Sequence, residues 1–237
     1  MKINEIVILA GGLGTRLRKV VSSVPKPLAI VNGKPFLFHL LEFWINQGIN
    51  KIVLAVGYKH EIIIHEVKNS TFSPYVCFSI EKKELGTGGA IIKSLDLIKN
   101  DNFIAQNGDT YVPIKLELLI KGFKNCPKSS AFIAVVNGTD EKRYKLLSIS
   151  KNNLISQFHN NIRYRGINSG LYILNKYKLL DKKYEKYEKI SFENTILNDL
   201  IAKNDCSGAF FEAPFIDIGI PEDYYKAHDI IKVQDDE

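Results

Sequence analysis

A glycine-rich turn that ends in an arginine is the first feature of the sequence that could do chemistry. Residues 9–16 read Leu-Ala-Gly-Gly-Leu-Gly-Thr-Arg, directly after a short apolar run at 6–9. Glycines at the end of a strand let backbone N–H groups approach an oxyanion without a Cβ in the way. Arg16 adds a planar guanidinium that can donate two hydrogen bonds to phosphate oxygens. The pattern predicts a phosphate-binding turn, with a tight turn and a surface arginine as the alternative.

Two nucleotide-binding templates fit this turn poorly. The P-loop pattern requires Gly-Lys-Ser/Thr, and no such tripeptide follows. The dinucleotide fingerprint G-x-G-x-x-G is met at Gly12 and Gly14, but Leu17 stands where the third glycine belongs. A dinucleotide site is therefore disfavoured.

A lysine and a second glycine-rich loop could also contact phosphate. Lys26 lies between Pro25 and Pro27, which restrict the backbone on both sides of it. Residues 81–90 read Glu-Lys-Lys-Glu-Leu-Gly-Thr-Gly-Gly-Ala, between a predicted strand and a predicted helix. Such a loop is expected to leave N–H groups exposed at the helix start. For Lys26, a rigid turn with a solvated side chain is the alternative.

Two aspartates follow apolar segments. Asp109 closes Gln106-Asn107-Gly108-Asp109, and Asp217 lies between Ile216 and Ile218. A carboxylate among apolar residues is costly to bury unless a cation or hydrogen-bond donors satisfy it. Mg²⁺ needs few protein carboxylates, because water and substrate phosphates complete its coordination. The pair predicts a Mg²⁺–nucleotide site, and turn or helix-cap roles are the alternative.

The elements that must position these residues alternate along the chain. Strands are predicted at 6–9, 51–56, 76–80, 103–106 and 131–136, and helices at 35–47, 59–67, 89–98 and 115–123. This alternation predicts an α/β fold, Rossmann-like, with a mainly parallel sheet and helices on both faces. From about residue 143 a β-rich insertion is predicted, with strands at 144–150, 154–158 and 166–174. Helices near 176–180 and 192–203 and a strand at 209–215 complete the prediction, as one domain over 1–237.

The composition fits a folded protein with anionic ligands. Of 237 residues, 45% are hydrophobic and 24% charged, and the formal net charge is +6. No apolar run reaches the ~20 residues of a membrane-spanning helix, and the N-terminus does not resemble a signal peptide. We therefore expect a cytoplasmic protein with no membrane partner. The basic run at 176–189 is expected to be a solvated surface, so no nucleic-acid partner is expected.

Taken together, the motifs resemble those of the sugar-1-phosphate nucleotidylyltransferases. The strand–G-G-x-G-T-R-L, P-K-P-L, L-G-T-G-G-A, N-G-D, N-x-G-x-Y, F-E and D-I-G segments occur in that family's order between Leu9 and Gly219. The resemblance implies a GT-A-like nucleotidyltransferase fold. Segments 24–27, 167–172, 191–193 and 215–224 are most similar to the D-glycero-α-D-manno-heptose-1-phosphate guanylyltransferases. The same skeleton also serves enzymes that use UTP, TTP or CTP.

The resemblance implies a role for each matching residue. Residues 1–140 would bind the nucleotide and residues 141–237 the sugar. The implied catalytic residues are Arg16, Lys26 and Asp109, and Asp109 and Asp217 would hold Mg²⁺. The implied nucleotide-binding residues are Leu9, Ala10, Gly11, Gly12, Gly14, Thr15, Glu81, Gly86, Thr87, Gly88, Asn107 and Gly108. The implied sugar-binding residues are Asn168, Gly170 and Glu193, with Lys176 as a candidate phosphate contact.

The implied reaction is an in-line displacement. An oxygen of a sugar 1-phosphate attacks the α-phosphorus of an NTP, for which GTP is expected, and pyrophosphate leaves. The phosphate is already ionised, so no general base is required, and the five histidines lie in no motif. The alternatives are a nicotinamide-dependent dehydrogenase, a non-catalytic relative that binds nucleotide-sugars, and a nucleic-acid binder.

Overall fold

A computed structural model describes residues 2–17, 20, 21, 24–126, 128–138, 143, 144, 146–156, 162–180, 184 and 189–231. The strands are β1 (Glu5–Leu9), β2 (Ile30–Val31), β3 (Lys34–Pro35), β4 (Lys51–Val56), β5 (Val76–Ile80), β6 (Asn102–Asn107), β7 (Thr110–Tyr111), β8 (Ala131–Val136), β9 (Leu146–Ser150), β10 (Ile155–Ser156), β11 (Ile162–Asn175), β12 (Cys206–Phe211) and β13 (Ile216–Asp217). The helices are α1 (Phe36–Asn46), α2 (His60–Lys68), α3 (Gly86–Ser94), α4 (Leu116–Lys124), α5 (Lys176–Leu180), α6 (Leu197–Ala202) and α7 (Pro221–Ile230), and a π-helical turn at Phe192–Ile196 precedes α6.

One large sheet runs through both halves of the chain. Its order is β10-β9-β11-β6-β1-β4-β5, and β8 pairs with β11 and with β12. β1 lies parallel between β4 and β6, and β5 lies parallel to β4. β11 is antiparallel to β6, β8 and β9. The predicted α/β fold is confirmed. The strands of the predicted β-rich insertion belong to the central sheet.

The two faces of the sheet bury two hydrophobic clusters. Side chains alternate along a strand, so Ile6 and Ile8 of β1 enter one cluster and Val7 the other. The helices α1, α2, α4 and α7 contribute to the first cluster, and α3, α5 and α6 contribute to the second. Strands covered on both faces are apolar along their whole length, which explains the uninterrupted apolar runs of β1 and β4. Among the described residues, no helix has the length and apolar character needed to cross a bilayer.

The predicted bounds of three strands are confirmed. The predictions at 51–56, 76–80 and 131–136 coincide with β4, β5 and β8. The bounds predicted for the last strand, 209–215, are wrong: β12 begins and ends earlier, at Cys206–Phe211. Its pairing with β8 aligns Cys206 with Ala131. That register is set by a neighbour far away in the sequence.

Two elements differ in other ways. The helix predicted at 89–98 begins three residues earlier, at Gly86, and ends in a 3₁₀ turn at Leu95–Leu97. α7 was not predicted, although Pro221 at its first turn and two acidic residues after it are typical of a helix start. The predicted strands 144–150 and 154–158 include residues 145, 157 and 158, which lie outside the described part of the chain.

A two-stranded pairing brings distant parts of the chain together at the carboxyl end of β6. β7 pairs antiparallel with β13, so that Asp217 aligns with Thr110. The backbone N–H of Ile218 donates to the carbonyl of Asp109 at 2.9 Å. The carboxylates at 109 and 217 are therefore held at one end of the sheet.

The turn after β6 is also packed tightly against the end of β1. The N–H of Gly108 donates to the carbonyl of Leu9 at 3.0 Å. A Cβ at position 108 would lie 2.5 Å from that oxygen, whereas a Cβ at Gly12 would meet nothing within 4 Å. Position 108 therefore requires glycine for a close approach, and position 12 does not.

We expect Gly108→Ala to lower the free energy of unfolding by about 1–3 kcal/mol, the usual cost of overpacking. Urea unfolding followed by circular dichroism measures this change. Gly12→Ala is the matched control and is expected to leave the midpoint unchanged. Equal midpoints for Gly108→Ala and the wild type would contradict the packing described here.

Candidate active site

Two cavities lie side by side at the carboxyl ends of the parallel strands, the usual ligand-binding edge of an open α/β sheet. The first cavity has a volume of about 560 Å³ and the second about 320 Å³. Asn107 and Asp109 line both cavities. The end of β6 is therefore the border at which molecules bound in the two cavities would meet.

Most of the residues expected to bind the nucleotide line the first cavity. Its wall includes Leu9, Gly11, Gly12, Glu81, Gly86, Thr87 and Asn107. Ala10 and Gly108 do not line it: Ala10 is buried, and its N–H donates to the carbonyl of Ala55 at 2.8 Å. Thr15 is exposed on the turn beyond the cavity. Tyr58 and His60, which the sequence did not single out, also line this cavity.

The start of α3 corrects one expectation. The glycine-rich loop was expected to leave free N–H groups, but the N–H groups of Gly88 and Gly89 both donate to the carbonyl of Ile190, at 2.8 and 3.3 Å. A Cβ on Gly88 would lie 3.1 Å from that oxygen. Gly88 therefore packs against a later segment of the chain and is absent from the cavity wall.

Lys26 and Asp109 form an ion pair next to the first glycine-rich turn. The ammonium of Lys26 donates to Oδ2 of Asp109, and the lysine side chain is 13% exposed. Gly14 has a φ of 61°, and a Cβ there would lie 2.9 Å from Cβ of Lys26. The turn needs glycine at this position because it packs directly on the lysine. The structure thus brings together a cation and a carboxylate that are 83 residues apart in sequence.

Asp217 lies beside this pair in a largely buried position. Its Oδ1 accepts a hydrogen bond from the N–H of Gly219 at 2.7 Å, and its Oδ2 accepts one from the hydroxyl of Tyr144 at 3.4 Å. Burial raises the pKa of Asp217, and the negative charge of Asp109 raises it further. Positive charge near these two carboxylates therefore stabilises the site.

Arg143 supplies part of that charge, and no sequence motif singled it out. Its Nη2 lies 3.8 Å from Oδ2 of Asp217, and its Nη1 donates to Asp223 in the first turn of α7. Its guanidinium also lies over the ring of Tyr144, 5.0 Å from the centroid. These contacts join β13, α7 and the chain before β9, so only the folded protein reveals them.

The residues expected to contact the sugar line the second cavity. Asn168, Gly170 and Glu193 lie in its wall together with Arg16 and Asp217. These residues come from the first glycine-rich turn, β11, β13 and the π-helical turn at Phe192–Ile196. Their spacing in the sequence is therefore unrelated to their distance in space.

Tyr172 also lines the second cavity, and the sequence did not single it out. The side-chain amide of Asn168 donates to its hydroxyl at 2.8 Å. Burial raises the pKa of Tyr172, and the charge of Glu193 raises it further. The phenol therefore stays neutral at physiological pH and can act as a hydrogen-bonding group.

Lys176 is a further correction. Its ammonium donates to the carbonyl of Ile98 at 2.6 Å, and its N–H donates to the carbonyl of Asp101 at 2.7 Å. Asn175 aligns with Asn102 at the amino end of β6, whereas the cavities lie at the carboxyl end. Five residues of strand separate the two ends by roughly 16 Å. Lys176 therefore lies outside the candidate site.

The donor atoms at the border fit a hard divalent cation. Asp109 and Asp217 offer carboxylates, and the buried Oδ1 of Asn107 accepts no hydrogen bond within the described part of the chain. Oxygen donors of this kind suit Mg²⁺. The described residues contain no group of three or more His, Cys, Asp or Glu side chains able to hold a metal ion. A cation bound here would thus take its remaining ligands from water and phosphate.

Residues 5–234 match the nucleotidyl transferase family. The chain belongs to this family. As a nucleotidyl transferase it is an enzyme, and the cavities described above lie within the matched residues.

Individual nucleotidyl transferases resemble the chain over nearly its full length. The D-glycero-alpha-D-manno-heptose 1-phosphate guanylyltransferase of Campylobacter jejuni is 38% identical over 223 residues, which cover 93% of this chain and 97% of that enzyme. The enzyme of the same name from Aneurinibacillus thermoaerophilus is 36% identical, covering 94% of this chain and 96% of the relative. The crystal structure of HddC from Yersinia pseudotuberculosis complexed with GMP-PN has a TM-score of 0.80 at 39% identity, covering 96% of this chain and 99% of that one.

Asp217→Asn is expected to raise the thermal midpoint of this nucleotidyl transferase at pH 7 in the presence of EDTA. The raised pKa of Asp217 means that the folded protein binds its proton more tightly than the unfolded chain does. The ionised carboxylate therefore costs stability above the raised pKa, and asparagine removes that cost. Below the ordinary aspartate pKa the two proteins should melt alike. Asp101→Asn, at an exposed position, is the control, and a lower midpoint for Asp217→Asn at pH 7 would contradict this account.

Proposed function

We propose that the protein transfers GMP from GTP to D-glycero-α-D-manno-heptose 1-phosphate, giving the GDP-sugar and pyrophosphate for surface polysaccharide synthesis. The names of the two relatives from Campylobacter jejuni and Aneurinibacillus thermoaerophilus support this proposal. The observation that carries the guanine assignment is the carboxylate of Glu81 in the wall of the first cavity.

The hydrogen-bonding capacity of Glu81 favours guanine. An ionised carboxylate only accepts hydrogen bonds, and guanine presents two adjacent donors, N1–H and the N2 amino group. On the corresponding edge, adenine and cytosine present a donor next to an acceptor. Uracil and thymine present one N–H between two carbonyl oxygens there. The N–H of Leu85 donates to Oε2 of Glu81 at 3.2 Å. Burial raises the pKa of Glu81, so donors from a bound guanine would offset its lost hydration.

The acceptor would bind in the second cavity with its phosphate towards Asp109. Asn168 and Glu193 offer amide and carboxylate groups to the sugar hydroxyls. Arg16 also lines this cavity, and its guanidinium suits phosphate oxygens. The cavities share Asn107 and Asp109, so the α-phosphate of the nucleotide and the acceptor phosphate would meet at these residues.

Charge neutralisation would supply most of the catalysis. An oxygen of the acceptor phosphate forms a bond to the α-phosphorus, the bond from that phosphorus to the bridging oxygen breaks, and pyrophosphate leaves with the electron pair. The attacking phosphate is already ionised, because its second pKa is about 6, and no residue has to remove a proton. Lys26 and Arg16 would reduce the repulsion between the two polyanions.

Asp109 and Asp217 would hold Mg²⁺, with Oδ1 of Asn107 beside them. When bound, the metal supplies positive charge to the reacting phosphate groups. The ammonium of Lys26 donates a hydrogen bond to Oδ2 of Asp109. Lys26 would therefore turn from this carboxylate to phosphate when the nucleotide binds.

A matrix of four nucleoside triphosphates against three sugar phosphates tests the proposal. The sugar phosphates are D-glycero-α-D-manno-heptose 1-phosphate, mannose 1-phosphate and glucose 1-phosphate, and pyrophosphate release is measured with excess Mg²⁺. We expect GTP with the heptose phosphate to give the highest kcat/KM. A higher value for any other pair would contradict the proposal.

Glu81→Gln is expected to lower kcat/KM for GTP by about 10²-fold, because the amide presents a donor where guanine requires an acceptor. Its discrimination between GTP and UTP should fall by a similar factor. Glu84→Gln is the matched control, since Glu84 lines the same cavity but forms an exposed ion pair with Lys189. Unchanged GTP preference in Glu81→Gln would remove Glu81 from base recognition.

The pH dependence gives a second readout for Glu81. The raised pKa of Glu81 means that this carboxylate takes up its proton at a higher pH than an ordinary glutamate. As the pH falls through that raised value, KM for GTP should increase, because the protonated carboxyl loses acceptor capacity. Glu81→Gln should lack this increase.

Lys26→Ala is expected to lower kcat by about 10²–10³-fold, the loss typical of one electrostatic stabiliser of the transition state. Equilibrium binding of GTP, measured by calorimetry without an acceptor, should change by much less. Lys34→Ala is the control, because Lys34 forms a comparable ion pair with Glu42 away from the cavities. A kcat near that of the wild type would contradict the proposed role.

A further inference from the structure

A short segment of the second half of the chain is fastened to the start of α3. We call residues 190–193 the strap. The N–H of Ile190 donates to the carbonyl of Leu85 at 2.8 Å, and the carbonyl of Ile190 accepts from the N–H of Gly88 at 2.8 Å. A Cβ at Gly86 would lie 2.5 Å from the same carbonyl oxygen. The helix start that lines the first cavity is therefore in direct backbone contact with the strap.

The hydroxyl of Thr87 gives its one donor proton to the strap. It accepts a hydrogen bond from the N–H of Phe192 at 2.8 Å and donates its proton to Oε2 of Glu193 at 2.8 Å. A threonine hydroxyl has one donor proton, so none remains for a nucleotide. Thr87 lines the first cavity, but its hydroxyl donates to Glu193, which lines the second cavity.

Glu193 is held at one oxygen and available at the other. Besides Thr87, the hydroxyl of Ser191 donates to Oε2 at 3.3 Å. Oε1 accepts no hydrogen bond from the residues that the structure describes, and Glu193 lines the second cavity. The same cavity contains the hydroxyl of Tyr172, which accepts a hydrogen bond from Asn168. Fixing Oε2 thus leaves Oε1 as an oriented acceptor for hydroxyl groups.

We propose that Thr87 is a positioning residue for the acceptor sugar: its hydroxyl fixes Glu193 so that Oε1 can accept hydrogen bonds from the sugar hydroxyls. This inference rests on the proposed function, because it assigns the second cavity to the sugar phosphate. It changes the role that the family resemblance implied for Thr87, from nucleotide contact to acceptor selection. The hydrogen bond from Thr87 to Glu193 also connects the two cavities, because a displacement of Thr87 at the start of α3 would change the position of the Glu193 carboxylate.

Four variants test this role: Thr87→Val, Thr87→Ser, Glu193→Gln and the double variant Thr87→Val/Glu193→Gln. Valine keeps the shape of threonine but lacks the hydroxyl. KM is measured for GTP and for the sugar phosphate separately, using the best pair of the matrix above. We expect Thr87→Val to raise KM for the sugar phosphate about tenfold, in line with losing a hydrogen bond to a charged group. KM for GTP should stay within about twofold, and Thr87→Ser should restore the wild-type values.

The double variant separates positioning from an independent contact. If Thr87 acts through Glu193, the double variant should lose no more kcat/KM than Glu193→Gln alone. Additive losses would overturn the inference. A rise in KM for GTP with an unchanged sugar-phosphate KM would also overturn it, because Thr87 would then serve the nucleotide.

Controls separate a loss of folding, or a different substrate preference, from the loss of the proposed role of Thr87. Thermal melting of each variant shows whether it folds, and Thr87→Ala replaces Thr87→Val if valine prevents folding. If the wild type prefers a different pair of substrates, the proposed function fails while the inference is still measured with that pair. If the wild type turns over no pair of the matrix, both the proposed function and the inference are contradicted. Unchanged KM values in a folded Thr87→Val would contradict the inference alone.

Discussion

Two carboxylates held side by side at the end of a sheet are the constraint on which the site depends. Asp109 lies two residues after the end of β6, and the pairing of β13 with β7 brings Asp217 to it. Burial and a like charge at short range both disfavour ionisation, and both raise the pKa of Asp217. The ammonium of Lys26 and the guanidinium of Arg143 offset part of this rise. Cations held at the same end of the sheet therefore stabilise this arrangement of carboxylates.

The architecture explains how these groups converge. β11 lies antiparallel to β6, so the second half of the chain adds its strands to the sheet built by the first half. Residues from the amino-terminal turn, from β6 and from β13 then meet at one edge. Among the residues that the structure describes, Asn107 and Asp109 are the two that line both cavities, so two bound ligands would meet at these side chains. A transfer between bound molecules requires such a shared border.

The sequence predicted most of the fold and much of the candidate site because the signals involved are local. The buried strand β8 is apolar along its whole length and β4 is apolar after Lys51, while the residues that identify the glycine-rich turn are adjacent in the sequence. Contacts between distant segments left no comparable signal. The pairing of β12 with β8 sets the strand's register, and the ion pair between Arg143 and Asp223 crosses 80 residues. Lys176 illustrates the limit, since its position in sequence after β11 gave no indication of which end of β6 it lies beside.

The strap shows why glycines near a site need not face a ligand. At the start of α3 the absence of a Cβ allows the backbone at Ile190 to approach, and two N–H groups of the helix start, those of Gly88 and Gly89, donate to that carbonyl. The same close approach brings the hydroxyl of Thr87 to Glu193. Glycines that resemble a phosphate-binding loop in the sequence therefore serve here to join the walls of two cavities. A rigid shared wall keeps the groups proposed to contact the two substrates at fixed distances, which favours a reaction that relies on positioning more than on proton transfer.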